Sequence, residues 1–223
     1  MKAMVLAAGR GERLRPLTER LPKPLVEAGG KALIDWHLSR LAAAGCRDVV
    51  VNVSHLAEQV VQHVGDGTRF GLRVAWSREA EPLETAGGIA NARALLGEAP
   101  FLLVNSDIYC DYDFSALRSK ALKSALAHIV LVPNPAHHAE GDFTLEQGTV
   151  GNGSAPRYTY AGVAVMSPAI VASVRAGDKA PLGPLLRKAA GERKLSGELF
   201  RGLWTDVGTI ERLSELRTLL AAR

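Results

Sequence analysis

The sequence predicts an α/β fold, with a doubly wound, mostly parallel mixed sheet and helices on both faces. Three observations predict it. Short apolar runs alternate with segments of helical spacing through the first 133 residues, the pattern of successive β-α-β units. Those runs end in glycine or polar residues, as buried parallel strands do. The least ordinary segments fall directly after two of the runs, and sheets of this kind bind ligands beyond the carboxyl ends of their strands.

The elements follow in order. AMVLA (3–7) is an apolar run stopped by Gly9. Residues 32–45 carry helical spacing at Leu33, Ile34, Trp36, Leu38 and Leu41, and Gly45 ends it. DVVVNV (48–53) is a buried strand, LAEQVVQHVG (56–65) a helix and LRVAWS (72–77) a strand. TAGGIANARALLG (85–97) turns helical, PFLLVNSD (100–107) is a strand with a polar end, FSALRSKAL (114–122) a helix and AHIVLVP (127–133) a strand. This order is Rossmann-like. From about 134 the pattern changes: 134–156 is rich in Gly, Asn, Pro and Ser, with a hairpin or loops near 143–145 and 148–151. YTYAGVAVMS (158–167) is a strand, and 167–177 and 181–191 are short helices. Residues 195–208 read as strand material closed by a turn, and 209–223 as a final helix with Thr209 at its N-cap. Trp36, Trp76 and Trp204 fall in apolar patterns and read as core.

At 223 residues the chain suits one domain, with residues 1–133 and 134–223 as its two halves. No apolar run reaches the roughly 20 residues of a membrane span. The apolar start breaks into GRGER too early for an export signal. The expectation is a soluble, cytoplasmic protein that engages no membrane. Cys46 and Cys110 form no disulfide framework or C-x-x-C motif, and Cys110 reads as a bystander thiol. The net charge of +4 suits phosphates, nucleotides or nucleic acid as well as a generic surface. Aromatics are 5 % of residues and no basic run appears, which speaks against nucleic acid.

LAAGRGERLRPLTERLPKPL (6–25) holds two glycines, three prolines and five cations. Glycines after a strand let backbone N–H groups approach phosphate oxygens. Arg13, Arg15 and Lys23 can add charge-assisted contacts. A tight turn with a solvated basic loop has the same composition. The stretch is no P-loop, and Gly9-Arg10-Gly11 lacks the third glycine of a dinucleotide fingerprint. Pro16, Pro22 and Pro24 forbid a long helix here. They favour an extended loop crossing over a ligand.

The same stretch resembles the signature of the sugar-1-phosphate nucleotidyltransferases, L-A-A-G-x-G-x-R-L-x-P-L-T-x-x-x-P-K-P-L, with every fixed position from Leu6 to Leu25 matched. PLETAGGI (82–89), LLVNSD (102–107), YAGV (160–163) and WTDVGT (204–209) extend the resemblance over nearly the whole chain. It implies attack of a sugar 1-phosphate on the α-phosphorus of an NTP, with release of pyrophosphate. The chain's short length, without an appended acyltransferase or β-helix domain, is most similar to members using UTP and N-acetylmuramate 1-phosphate. Ala8, Gly9, Gly11 and Glu12 are then expected along the triphosphate, Arg13 on the leaving pyrophosphate and Lys23 near the α-phosphate or the sugar phosphate. Thr85, Ala86, Gly87 and Gly88 are expected to hold the base and ribose, with Asn105 near the ribose. Many relatives carry glycine where this chain has Glu84, which leaves Glu84, like Glu81, facing either the base or solvent. Gly141, Glu146, Tyr160 and Asp206 are the expected sugar contacts in a small sugar-binding lobe. His137 and His138 either bind a metal or a carboxylate on the sugar or face solvent, and Arg157 is a further candidate for that carboxylate.

The implied reaction needs Mg²⁺, which favours carboxylate and phosphate oxygens. Asp107, at a strand's carboxyl end, and Asp206 are the expected ligands. Asp111 and Asp113 lack the rest of a calcium loop and read as turn and N-cap residues. Arg13, Lys23 and Asp107 form the expected catalytic set. No general base is required, because the attacking phosphate oxygen is already ionised. A non-catalytic nucleotide-binding regulator is the alternative of another class, but it would be free to lose Arg13, Lys23, Asp107 or Asp206, and all four are present. Oligomeric state is open between monomer and dimer.

Overall fold

The structure is a computed structural model and describes residues 1–154 and 156–222. In chain order the elements are β1 (Ala3–Leu6), β2 (Glu27–Ala28), β3 (Lys31–Ala32), α1 (Leu33–Ala43), β4 (Asp48–Val53), α2 (Ala57–Val64) and β5 (Arg73–Arg78). They continue with α3 (Glu84–Asn91), α4 (Arg93–Leu96), β6 (Phe101–Asn105), β7 (Ile108–Cys110), α5 (Phe114–Arg118), β8 (Ala127–Val132), β9 (Phe143–Glu146) and β10 (Thr149–Gly151). The last are β11 (Arg157–Met166), α6 (Leu182–Gly191), β12 (Leu195–Leu199), β13 (Trp204–Asp206) and α7 (Ile210–Ala221).

Nine strands form one mixed sheet in the order β5-β4-β1-β6-β11-β8-β12-β10-β9. β1 pairs in parallel with β4 and β6, and β4 with β5. β11 runs antiparallel to β6 and β8, while β12 is parallel to β8. β1 carries alternate residues to opposite layers. Ala3 and Val5 pack with Ile34, Leu38 and Val60 of α1 and α2. Met4 faces the other way, toward Ile89 of α3 and Leu186 of α6. Strands buried on both faces in this way need continuous apolar runs, which is what 3–6, 48–53 and 101–105 supply.

The carboxyl ends of β5, β4, β1 and β6 open on one edge of the sheet. After β1 the prolines hold the chain in three 3₁₀ turns, Glu12–Leu14, Leu17–Glu19 and Lys23–Leu25. A third apolar cluster packs Leu213 and Leu216 of α7 on Val26, Leu33, Tyr109 and Val207. It brings the C-terminal helix back to the start of the chain.

The structure departs from the sequence reading in places. The helix expected over 85–97 breaks at Ala92 into α3 and α4. The helix expected over 114–122 stops at Arg118, and that over 167–177 is a 3₁₀ turn at Pro168–Val171. Residues 195–208 divide between β12, in the large sheet, and β13, which pairs only with β7. The expected hairpin exists as β9–β10. Thr209 Oγ1 accepts from Arg212 N at 3.4 Å and so caps α7. Asp113 caps α5 through Ser115 N. Arg223, at the end of the expected last helix, lies outside the described residues. The three tryptophans are half-buried at cluster edges.

Candidate active site

A cleft of about 750 Å³ lies at the carboxyl edge. Its glycine-rich side is Ala8 to Arg13, the segment that β1 feeds directly into the opening. Gly11 has φ +65°, and a Cβ there would meet Thr18 Cγ2 at 2.9 Å. Thr18 Oγ1 donates to Gly11 O at 2.8 Å and pins the turn. Gly9 has nothing within 4 Å of a built Cβ, so its backbone faces open space. Backbone N–H groups in such a bend form a concave donor surface suited to an anion.

Lys23 comes from the last 3₁₀ turn and is only 8 % exposed. Its Nζ donates to Asp107 Oδ2 at 2.7 Å. Asp107 stands just past β6, so the two residues join the glycine-rich loop to the central strand. Asp206 stands beside this pair. β13 runs antiparallel to β7 with Asp206 opposite Ile108, and Val207 N donates to Asp107 O at 2.7 Å. Arg212 Nη1 donates to Asp206 Oδ2. His137 Nε2 lies 3.0 Å from Asp206 Oδ1 and 2.7 Å from Arg212 Nη1. That buried oxygen has no hydrogen-bond partner among the described residues. Asp107, in the turn between β6 and β7, and Asp206, on β13 beside it, offer carboxylate oxygens of the kind that suits a hard divalent cation.

The opposite wall holds Glu81, Pro82, Glu84 and Thr85, with Asn52 and Glu79 at the back. Lys179 reaches the mouth from the segment before α6, where Ala180 O accepts from Ala86 N and Gly87 N. The lining therefore mixes four cations (Arg10, Arg13, Lys23, Lys179) with five carboxylates (Glu12, Glu79, Glu81, Glu84, Asp107). The cleft is not simply basic. A polyphosphate there needs either the few well-aimed cations or a metal to offset the acids.

Of the expected residues, Ala8, Gly9, Gly11, Glu12, Arg13, Lys23, Thr85, Asn105 and Asp107 line the cleft. Ala86, Gly87 and Gly88 sit behind its wall, buried in α3. They are small because a Cβ on Gly87 would meet Asp178 O at 2.3 Å and one on Gly88 would meet Asn52 Nδ2 at 2.7 Å. Asp206 stands behind Gly208, which lines the cleft. Asn105 has a buried Oδ1 with no hydrogen-bond partner among the described residues. Gly162, φ +74°, packs tightly on its side chain.

Three of the expected sugar contacts, Gly141, Glu146 and Tyr160, are not among the residues lining this cleft, while Asp206 stands beside Asp107. Gly141, φ +61°, is a glycine because Asn134 Oδ1 lies 2.6 Å from where a Cβ would be. Glu146 is exposed at the end of the β9–β10 hairpin. Tyr160 donates its backbone N–H to Asp142 Oδ2 at 2.8 Å, and burial pushes its phenol pKa up. Arg157 Nη2 donates to Asp142 O at 2.6 Å, and His138 lies 3.1 Å from Asp142 Oδ1. Burial pushes the Cys110 thiol up to about 11, so it stays protonated and unreactive. Asn52, Glu79, Ser106 and Lys179 were not anticipated as lining residues. The one signal was a polar letter at the end of an apolar run, as in VVVNV and VNSD.

The chain belongs to the nucleotidyl transferase family, whose model matches residues 2–143. It is 45 % identical to the N-acetylmuramate α-1-phosphate uridylyltransferase of Neisseria meningitidis serogroup B over all of this chain and 99 % of that one. A protein of the same name from Caulobacter vibrioides is 38 % identical over 92 % of this chain and 91 % of its own. The mannose-1-phosphate guanyltransferase of Yarrowia lipolytica is 33 % identical over 93 % of this chain but only 61 % of its own length. A Bacillus anthracis structure described as a glucose-1-phosphate thymidylyltransferase, complexed with sucrose, superimposes with a TM-score of 0.86. It covers 99 % of this chain and 95 % of its own at 18 % identity, a likeness of fold.

Proposed function

We propose that this nucleotidyltransferase moves a uridylyl group from UTP to N-acetylmuramate α-1-phosphate, giving the nucleotide sugar and pyrophosphate. The observation that carries the reading is the meeting of Lys23, Asp107 and Asp206 at the end of the glycine-rich loop. The choice of base and sugar leans on the two relatives matched nearly end to end. Mannose-1-phosphate guanylyl transfer is the second reading, supported by the 33 % relative; glucose-1-phosphate thymidylyl transfer, a third, has only the likeness of fold behind it.

The chemistry follows from the residues. A sugar-phosphate oxygen bonds to the α-phosphorus, and the bond from that phosphorus to the β-phosphate bridging oxygen breaks. The nucleophile carries its own negative charge, so no side chain needs to take a proton, and catalysis is positioning plus charge stabilisation. The loop Ala8–Glu12 presents backbone N–H groups to the triphosphate. Arg13 draws off the charge that builds on pyrophosphate. Lys23 offsets charge at the α-phosphate. Asn105, with an unsatisfied Oδ1 at the cleft, accepts a hydroxyl of the ribose. Thr85 flanks the base, while Ala86, Gly87 and Gly88 act from behind by letting the wall close. Gly141, Glu146, Tyr160 and Asp206 serve the sugar, on the far side of Asn105 and Asp107 from the base. Asp107 and Asp206 would hold Mg²⁺, which when bound offsets phosphate charge and fixes the phosphoryl oxygens.

The protein is read as one domain, with 1–133 serving the nucleotide and 134–223 the sugar, working in the cytoplasm in peptidoglycan recycling as a monomer or dimer. No described helix is long and apolar enough to cross a membrane. The reading is tested by Mg²⁺-dependent pyrophosphate release from UTP and N-acetylmuramate 1-phosphate in wild type, Asp107→Asn and Asp206→Asn. Each variant is expected to melt like wild type and to lose at least about 100-fold in rate. Variants that keep most of the rate would remove both aspartates from the site.

A further inference from the structure

Two polar side chains that the transfer chemistry does not use are buried at the back of the cleft. Asn52, at the end of β4, is 2 % exposed, and Glu79, just after β5, is 7 % exposed. Asn52 Oδ1 accepts from Ala7 N at 2.8 Å, where the glycine-rich loop begins. Asn52 Nδ2 donates to Glu79 Oε1 at 2.7 Å. Glu79 Oε2 accepts from Leu83 N at 2.9 Å, directly before the wall residues Glu84 and Thr85. The backbone of Glu79 is itself fixed by donation of its N–H to Val53 O at 2.9 Å.

The chain of bonds converges on the Glu79 carboxylate. Ala7 N–H and Leu83 N–H donate inward from the two ends, and the carboxamide passes one donor on to the carboxylate. The Asn52 carboxamide cannot flip without facing donor to donor at Ala7 N–H and acceptor to acceptor at Glu79. Buried networks of this kind hold position firmly when every member is satisfied. Gly88 leaves the space for it: a Cβ there would lie 2.7 Å from Asn52 Nδ2 and 2.9 Å from Glu79 Oε1.

We propose that Asn52 and Glu79 are positioning residues that set the separation between the glycine-rich loop and the wall at 82–85. They thereby set the register of an NTP's triphosphate against its base. The proposal rests on the reading of the cleft as an NTP site. It predicts a defect confined to the nucleotide. A merely structural pair would lower stability and spare that selectivity.

The test reverses the polarity of the link. Glu79→Gln turns an amide donor toward the Asn52 amide or the Leu83 N–H. Asn52→Asp sets a second carboxylate against the first. In the double variant Asn52→Asp/Glu79→Gln every bond is restored: the new carboxylate accepts from Ala7 N–H and from the new carboxamide, whose oxygen accepts from Leu83 N–H. The measurements are calorimetric UTP binding with Mg²⁺, KM for UTP and for the sugar 1-phosphate, and melting temperature. Each single variant is expected to weaken UTP at least about tenfold and leave the sugar 1-phosphate KM within about twofold, and the double to return near wild type. Single variants that bind UTP normally, or a double no better than the weaker single, would overturn the proposal. If a single variant does not fold, the double decides alone. Near-wild-type affinity supports the link, and a tenfold loss or failure to fold overturns it. Failure of the NTP reading itself looks different, because wild type then binds no nucleotide at all.

Discussion

Lys23 is an ammonium held almost wholly out of water against a carboxylate 2.7 Å away. Burial of a charge costs several kcal/mol unless it is paired, and Asp107 supplies that pairing. Lys23→Ala is expected to cost at least about 100-fold in kcat/KM, by comparison with other preorganised donors. Steady-state kinetics near wild type would take Lys23 out of the chemistry. Glu84 is a second informative residue. It sits at φ +60°, in the left-handed region that favours glycine, and its carboxylate lies 3.9 Å from Lys179 at the cleft mouth. Glu84→Gly relieves strain of about 1 kcal/mol and gives up only an exposed ion pair. Thermal melting should show the variant at least as stable as wild type; a clear loss would mean the left-handed conformation is not strained here. Arg13, Lys23 and Asp107 were legible because each stands in a contiguous motif. Asn52, Glu79 and Lys179 were not, because each is a single polar letter whose partner is set by folding alone.

The helices and strands transmit that precision. α3 begins against the segment 178–180, whose Ala180 O accepts two of its first free N–H groups. Gly87→Ala would drive a Cβ to 2.3 Å from Asp178 O. The expected loss is about 2 kcal/mol or more, roughly 4–8 °C in melting temperature for a chain of this size; an unchanged Tm would contradict the packing. α1 grips β7 through His37, which is fully buried with Nε2 2.8 Å from Ile108 O. Burial lowers its pKa from 6.5 to about 4. The folded protein keeps the ring neutral down to about pH 4, while the unfolded chain takes up a proton near 6.5. Its contribution is therefore full above pH 6.5 and is lost progressively as pH falls toward 4, about 3 kcal/mol in all. Denaturant melts across that range should show this slope in wild type and lose it in His37→Gln. The long strands were legible because burial on both faces writes an apolar run. β2, β3 and β7 were not, since two or three residues carry no period. Nor does an apolar run encode direction, so the antiparallel course of β11, with its irregular register between Tyr160 and Ala164, came only from the structure.

At the scale of the whole molecule, the sheet order places β1 between β4 and β6, so the glycine-rich loop, the Asn52 link and Asp107 all emerge on one edge. The return of β13 and α7 then sets Asp206 beside Asp107 from about a hundred residues away in sequence. That convergence is the arrangement the proposed function requires, with two phosphorylated substrates meeting beside Asp107 and Asp206. The central claim is tested most directly by offering the purified protein all four NTPs and the 1-phosphates of N-acetylmuramate, N-acetylglucosamine, glucose and mannose together with Mg²⁺. Products are then identified by mass. The account predicts pyrophosphate together with UDP-N-acetylmuramate as the dominant nucleotide sugar. A different dominant pair would contradict the proposed substrates, and no nucleotide sugar from folded protein would contradict transfer at this cleft.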